Sequence, residues 1–298
     1  AVDMDFVTVG DVGNAGEMSG GSAPGYGAWG PDRPNTGAVA YEYKIGTYEV
    51  TSAQYVEFLN AIAPSDPYGL YNPEMAHEEY EGPTNHYWDL GSHIERSGAD
   101  GSYTYAVTHG FDNRPVNFVS PADTFRFANW MHNGKPTTGV QDATTTEDGA
   151  YTLNGANDEA SILLVTRNFG AKYAMPTEDE WYKAAFYDPT LNGGAGGYYD
   201  FAMQTDNAGV VDNQIEVVDP GFNANYKIAW NNFTIMAHDD VVLDPGYAHP
   251  CSSDVGEFEN SASYYGTFDQ SGNIQEHVHE IYVEVSSEEN FCARGGYY

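Results

Sequence analysis

The stretch from Gly266 to His277 constrains the fold of this chain more than any other. Two carboxylates, Asp269 and Glu276, stand on either side of a Ser-Gly-Asn turn. Gly272 lets the backbone of this turn adopt conformations that point main-chain carbonyl oxygens inward. Calcium takes roughly six to eight oxygen ligands, carboxylates and carbonyls mixed, so the stretch fits a calcium-binding loop. It fits equally a hairpin turn in which Asp and Asn hydrogen-bond their own backbone.

The same stretch also resembles a family motif. Its pattern, Gly-x-Phe-Asp-x-x-Gly-Asn-Ile-x-Glu, is similar to the Asp-Met-x-Gly-Asn-Val-Trp-Glu-Trp signature of the formylglycine-generating enzyme (sulfatase-modifying factor) family. Three further blocks lie upstream in the family's order, at residues 44–51, 114–120 and 175–181. One more lies downstream, the Arg-Gly-Gly-Tyr of 294–297. The resemblance extends over nearly the whole chain.

The resemblance implies an α+β fold that is loop-rich, formylglycine-generating-enzyme-like and related to the C-type lectin fold. We expect one domain over residues 1–298, with insertions at about 64–112 and 190–256. The resemblance also implies calcium as a cofactor. Its ligands would be Asp269, the carbonyls of Gly272 and Ile274, and Glu276, and a second calcium site would draw on Asn225 and Tyr226.

The catalytic ligands of the related enzymes do not carry over in the same way. The aerobic enzymes hold copper with two thiolates a few residues apart, just after Arg-Gly-Gly. This chain has two cysteines, Cys292 before that motif and Cys251 far upstream, so the soft thiolate pair is absent. The His-x-x-x-His-x-Glu triad of related iron enzymes does not occur either. The sequence therefore favours a non-catalytic member.

A second metal reading concerns His277 and His279. Gln275 and His277 stand where the family carries the two tryptophans of Trp-Glu-Trp. Two histidines at i and i+2 of a strand share a face, so they could hold one ion if a third ligand came from elsewhere. The alternative is that they are polar surface replacements for the tryptophans.

The charge balance excludes several partners. Eleven basic residues stand against 44 acidic ones, a formal net charge of -33 at pH 7. Nucleic acids and anionic lipids bind through Lys and Arg, so we expect neither as a partner. The longest aliphatic run, residues 162–165, is far too short to span a membrane. Such a surface fits a saline habitat or a solvated secreted protein.

An exported location is the expectation from the N-terminus and the cysteines. The chain starts at Ala1 and shows no apolar signal region, as in a mature product whose signal peptide has been removed. In an exported protein the pair Cys251 and Cys292 would form a disulfide, whereas in a reducing compartment both would be free thiols.

Local patterns predict the main secondary structure. Alternating residues predict strands at 2–9 and 41–49. Capping signals at Thr51, Ser120 and Thr177 predict three helices, and the second also has Pro121 at its first position. The Thr-, Asp- and Gly-rich segment 137–160 predicts a hairpin. The apolar run 162–166 predicts a buried strand.

Three function classes follow. The first is a secreted, non-catalytic, calcium-binding surface or structural protein that self-associates into a filament. Family members continue past Arg-Gly-Gly to a strand that closes the sheet, whereas this chain stops at Tyr298, so the open edge could accept the segment 2–9 of a neighbour. The second is a carbohydrate- or protein-binding module, suggested by 24 Tyr and 5 Trp. The third is a metal-dependent oxidase.

Overall fold

The computed structural model describes residues 2–20, 32–76, 79–81, 87–89, 91–108, 110–207, 221–225, 249–250, 252–283 and 289–295. Helices are few and mostly short in this part of the chain. They are α1 Ser52–Ile62, α2 Pro121–His132, α3 Glu159–Ile162, α4 Glu178–Phe186 and α5 Leu191–Gly194, with a 3-10 helix at Pro73–Met75.

The strands are short, and most of them pair in twos. They are β1 Phe6–Val9, β2 Glu17–Ser19, β3 Arg33–Thr36, β4 Tyr43–Gly46, β5 Glu79–Glu81, β6 Tyr87–Asp89, β7 Ile94–Ser97, β8 Thr104–Val107, β9 Tyr187–Asp188, β10 Gly197–Tyr198, β11 His249–Pro250, β12 Gln275–Val283 and β13 Glu289–Gly295. Antiparallel pairs join β1 to β4, β2 to β3, β7 to β8, β9 to β10 and β12 to β13, while β6 pairs antiparallel with β5 and parallel with β11. Few helices, short strands and long loops confirm the predicted α+β class.

The three predicted helices form at their predicted starts. Thr51, Ser120 and Thr177 each accept a hydrogen bond from the amide three residues on, and the side chain of that residue bonds back to the cap amide. Each reciprocal pair satisfies amides that have no partner inside the helix. In α4 the first turn also carries three acidic residues, which the positive end of the helix dipole favours.

The largest core cluster lies between α1 and α2. Tyr55 and Phe58 of α1 meet Phe127 and Trp130 of α2, with the Phe58 ring centroid 5.3 Å from that of Phe127 and 5.2 Å from that of Trp130. These rings are almost completely buried, and burying each contributes about 1.5 to 3 kcal/mol. The helix pair therefore anchors the loops on either side of it.

The N-terminal segment is attached to its own chain. Strand β1 covers only the second half of the predicted strand 2–9, and it pairs with β4. Val2 is buried in the α1–α2 core, and its amide donates a 2.7 Å hydrogen bond to Glu57 Oε1. If this segment paired with the sheet of a neighbouring molecule, it would therefore lose contacts that it makes within its own chain.

The predicted hairpin at 137–160 is wrong. The structure shows turns there, and the amides of Thr145, Thr146 and Glu147 all donate to the carbonyl oxygen of Asp142. Among the described residues, strand-like pairing in this segment is limited to a single bridge between Tyr151 and Arg167. Asp and Thr side chains also bond the local backbone, as when Asp142 Oδ1 accepts from the Thr144 amide, and such bonds compete with sheet pairing.

The predicted buried strand at 162–166 is also wrong. Asp158 caps α3 by accepting a 3.1 Å hydrogen bond from the Ser161 amide, so the start of the apolar run is helical. Leu164, in the middle of the run, is 81% exposed. The apolar composition suggested burial, but the cap at Asp158 sets the backbone differently.

None of the described helices is long and apolar enough to cross a lipid bilayer.

Candidate metal centre

The loop between Asp269 and Glu276 is a tight turn that enters strand β12. The Gly272 amide donates to the Asp269 carbonyl at 3.0 Å, and Asp269 and Asn273 both have positive φ angles, 64° and 62°. Gly272 is required for a steric reason, since a Cβ there would lie 2.1 Å from the Asn225 carbonyl oxygen. That oxygen accepts a 2.7 Å hydrogen bond from the Asn273 amide.

Three of the four predicted calcium ligands converge at Gly295 on the neighbouring strand β13. A Cβ built on Gly295 would lie 2.7 Å from the Ile274 carbonyl oxygen, and 3.8 Å from both Glu276 Oε1 and the Gly272 carbonyl oxygen. Gly295 has φ +92° and no side chain to fill this space. Three oxygen atoms therefore lie near the position that a side chain of residue 295 would take, and oxygen is the donor that hard cations bind.

The fourth predicted ligand, Asp269, lies beside a carboxyl group that sequence analysis did not identify. Asp269 Oδ2 accepts a 2.6 Å hydrogen bond from the Gly256 amide, and its carboxylate also interacts with the buried carboxyl of Glu49. Asn273 Nδ2 donates a long, 3.4 Å bond to Glu49 Oε2. Glu49, Asp269 and Glu276 thus form one cluster of carboxyl groups, which we call the carboxyl cluster.

Electrostatics in the carboxyl cluster oppose ionisation when no cation is present. Burial is the main reason that the pKa of Asp269 is raised to about 6 and that of Glu276 to about 7. Burial, followed by repulsion from Asp269 and Glu276, raises the pKa of Glu49 well above its usual range. Carboxylates of like charge crowded in a site of low dielectric constant favour their neutral forms. A bound cation would reverse this preference.

Several buried polar atoms around the carboxyl cluster have no hydrogen-bond partner within the described residues. They include Oε1 of Glu49 and Oε1 of Glu276, and the indole of Trp181 lies close enough to Glu276 to interact with its carboxylate. Buried polar atoms are nearly always satisfied by protein, water or an ion. The two orphaned carboxylate oxygens therefore fit a cation, with Trp181 close to it.

The donor set selects the class of metal. Side-chain carboxylates and main-chain carbonyls are hard oxygen donors, which suit calcium and do not suit Cu(I). Across the residues that the structure describes, no three side chains of His, Cys, Asp or Glu gather as a metal-binding group on their own. A cation at this place would therefore depend on the carbonyls of Gly272 and Ile274 as much as on the carboxylates.

The sequence carried a weak signal for Glu49. It lies in the family-like block 44–51, but alternation made it the end of a predicted strand, and nothing local distinguishes it from a surface glutamate. Only the chain path, which returns to Glu49 after some 220 residues, places it against Asp269 and Asn273. Of the predicted second calcium site, Asn225 is buried against Gly272, and Tyr226 lies outside the described residues.

His277 and His279 do not form a shared metal site in the structure. His277 Nε2 bonds the Val119 carbonyl at 2.9 Å, and His279 Nε2 bonds the Val165 carbonyl at 3.1 Å. Both rings are partly buried, and burial lowers the pKa of each, which favours the neutral imidazole. The two rings are partly buried rather than surface side chains, and each ties β12 to a different segment.

The predicted disulfide stays a prediction, because Cys251 lies outside the described residues. Cys292 lies on β13, partly buried, and burial is the main cause that raises the pKa of its thiol. Its neighbour Glu178 forms an ion pair with Arg294 of the Arg-Gly-Gly motif. That ion pair connects the start of α4 to the last described strand.

Of the comparisons with known proteins, one identifies the family of this chain. No curated protein matches the chain. A solved structure titled "Crystal Structure of CarF" is similar at a TM-score of 0.48 and 15% sequence identity, and the match covers 99% of this chain and 88% of that chain. The model of the sulfatase-modifying factor enzyme 1-like domain matches residues 12–298. The ordered sequence blocks thus predicted correctly that the chain belongs to the sulfatase-modifying factor enzyme 1-like family.

Proposed function

We propose that this chain is a calcium-binding, non-catalytic member of its family that serves as an exported surface or structural protein. One observation carries the proposal. The oxygens of Gly272, Ile274 and Glu276 converge on the space left open by Gly295, next to the carboxyl groups of Asp269 and Glu49. The calcium ion would stabilise the fold rather than take part in chemistry.

The charges of the site support calcium as the occupant. Burial raises the cost of ionising all three carboxyl groups, and repulsion from Asp269 adds to that cost for Glu49 and Glu276. A divalent cation would offset the cost of ionising these groups and would bind the carboxylate oxygens that have no partner within the described residues. Since the ligands lie in the loop 269–276, against Gly295 of β13 and beside Glu49, the ion would fix the C-terminal hairpin against a segment some 220 residues away in sequence.

The spacing of the cysteines in this sequence supports a structural role. Cys251 and Cys292 lie 41 residues apart, so they are not a closely spaced thiolate pair of the kind that holds copper. With a net charge of -33, copies of the chain repel each other at low ionic strength. Self-association into a homo-oligomer or filament, which belongs to the same proposal, would therefore need calcium or high salt.

The glycan-binding alternative has less support. Several of the tyrosines that suggested it are used inside the molecule, where their hydroxyls hold the N-terminal segment. Tyr182 donates to Glu17 Oε1 at 2.7 Å, Tyr187 donates to Asp11 Oδ2 at 2.5 Å, and Tyr198 donates to the Ala15 carbonyl at 2.9 Å. These rings are therefore not available as stacking platforms for sugars.

Terbium luminescence tests the calcium site directly. Tb³⁺ replaces Ca²⁺ at oxygen sites, and Trp181 beside Glu276 would sensitise its emission. We expect tryptophan-excited terbium emission that added Ca²⁺ abolishes and that Glu276→Gln removes. The matched control is Glu280→Gln, the same substitution on the same strand, whose carboxylate instead pairs with Arg33 at 3.6 Å. Sensitised emission that survives in Glu276→Gln would place the ion elsewhere and overturn the proposal.

A further inference from the structure

A cleft of about 590 Å³ lies between the segment 41–50, helix α2 and the loop 167–176. Its volume is in the range of roughly 300 to 1,000 Å³ that small-ligand sites occupy. Large apolar side chains line much of it, namely Met4, Phe6, Phe127, Met131, Tyr173 and Phe268. The rings of Phe6 and Tyr173 lie 5.9 Å apart. The cleft thus offers an apolar wall to a ligand.

The cleft is also lined by two basic side chains that make no ion pair, hydrogen bond or ring contact with the rest of the described chain. Lys227 lies outside the described residues. Eight of the other ten make an ion pair, a hydrogen bond or a ring contact, namely Arg33, Arg96, Arg114, Arg126, Lys135, Arg167, Lys183 and Arg294. The side chains of Lys44 and Lys172 make none within the described part, both residues are exposed, and both line the cleft.

A third basic group in the cleft is partly satisfied. Arg167 donates to both carboxylate oxygens of Glu180, at 2.9 and 2.8 Å, so this pair is neutral overall. Arg167 Nε is buried and has no hydrogen-bond partner among the described residues. Of the other acidic residues that line the cleft, Glu49 and Glu276 belong to the carboxyl cluster, so Glu42 is the remaining carboxylate in the lining beside Lys44 and Lys172.

The loop that carries Arg167 and Lys172 also exposes an aromatic ring. Phe169 lies between them and is fully exposed, at 109%. The turn after it is made by Gly170, whose φ is +83°. Exposed apolar residues are ordinary when they occur singly, but this one adjoins the rim of an apolar cleft with free ammonium groups. An apolar wall and a cationic rim are complementary to an amphipathic anion.

We propose that this cleft binds a small amphipathic carboxylate. The apolar part of the ligand packs against the wall of aromatic and methionine side chains, and its carboxylate pairs with the free ammonium groups of Lys44 and Lys172. A surface as acidic as this one repels anions at long range, but at physiological ionic strength that repulsion is screened beyond about 8 Å. The ion pairs at the rim of the cleft then determine which charge the head group of the ligand must carry.

Calorimetric titration with three eight-carbon probes tests the proposal. Octanoate, octanol and octylammonium share one apolar chain and differ in the charge of the head group. We expect octanoate to bind more tightly than the other two, and its affinity to fall as salt is raised. Equal affinity for octanol and octanoate, tighter binding of octylammonium, or no binding of octanoate would overturn the proposal.

Substitution of the two lysines at the rim of the cleft is the second test of the proposal. Lys44→Gln and Lys172→Gln should each weaken octanoate binding about two- to fivefold, as for exposed ion pairs, and leave octanol binding unchanged. The matched control is Arg96→Gln, which makes the same change in net charge at a residue stacked over Tyr71 and Tyr103 and outside the cleft. A double lysine variant that binds octanoate as the parent does would overturn the proposal. Terbium luminescence reports calcium binding separately, so the failure of one proposal leaves the other standing.

Discussion

Removal of calcium should lower the stability of this protein through Glu276 and its neighbours. The carboxyl cluster joins residue 49, the loop 269–276 and, through Gly295, the edge of β13. Residue 49 lies 220 residues before the loop in sequence, so an ion at this place would be bound by the folded chain and not by the unfolded one. Any ligand with this preference adds to the free energy of unfolding by mass action.

The size of the effect follows from the occupancy and the length of the chain. At a free calcium concentration of about 100 times the dissociation constant, the added free energy of unfolding is about 2.7 kcal/mol. An unfolding entropy of about 2.1 cal/mol/K per residue gives about 0.6 kcal/mol/K for 298 residues. The melting temperature should therefore fall by about 4 °C when a chelator removes the ion.

The assay is scanning calorimetry at pH 7.5 of the parent, Glu276→Gln and Glu280→Gln, each with calcium and with chelator. Glutamine has the shape of the neutral carboxyl group, so Glu276→Gln should fold in chelator and should lose most of the calcium-dependent shift. Glu280→Gln should keep the full shift, because Glu280 is outside the carboxyl cluster. A parent melting curve that chelator does not change, or a Glu276→Gln variant with the full shift, would refute the reasoning.

Three further predictions address pH, activity and assembly. Without calcium, the pKa values of Asp269 and Glu276 are raised in the folded state, so the folded chain keeps protons that the unfolded chain releases above about pH 4. The free energy of unfolding should therefore fall as the pH rises from about 4 to about 7. Urea titrations in chelator across that range check this, and a flat profile would contradict it. No oxygen consumption above the metal-only background is expected with a cysteine-containing sulfatase peptide and added copper. Turnover there would show that the ligands were misread. Sedimentation should show larger species on adding calcium or salt, whereas a monomer under every condition excludes self-association.

The local signals in the sequence were reliable where the interaction itself is local. The capping boxes at Thr51, Ser120 and Thr177 predicted the starts of three helices, because the cap side chain and the amide that it satisfies are three residues apart. Asp158 likewise caps α3 by accepting from the Ser161 amide, three residues on, so the apolar run 162–166 begins as a helix and not as the predicted strand. This cap is also a local signal in the sequence, and here it decides the backbone against the apolar composition.

The histidines of β12 show a different limit. Their spacing predicted one shared face of a strand, and the structure instead bonds His277 to Val119 and His279 to Val165. The strand pairing is irregular between His277 and Ile281, which breaks the simple alternation of faces. The partners of both rings come from segments more than 100 residues away, so no local pattern could predict them.

The sequence by itself determined the family, the α+β class, the helix starts and the loop with Asp269 and Glu276, because each depends on residues close together in the chain. Only the tertiary structure decided that Glu49 joins this loop, that oxygens of Gly272, Ile274 and Glu276 lie near Gly295, and that Lys44 and Lys172 line one cleft. The physical reason is that burial and charge repulsion act through space. A carboxyl group acquires an unusual pKa from the atoms that surround it in the folded chain, whatever their distance in sequence.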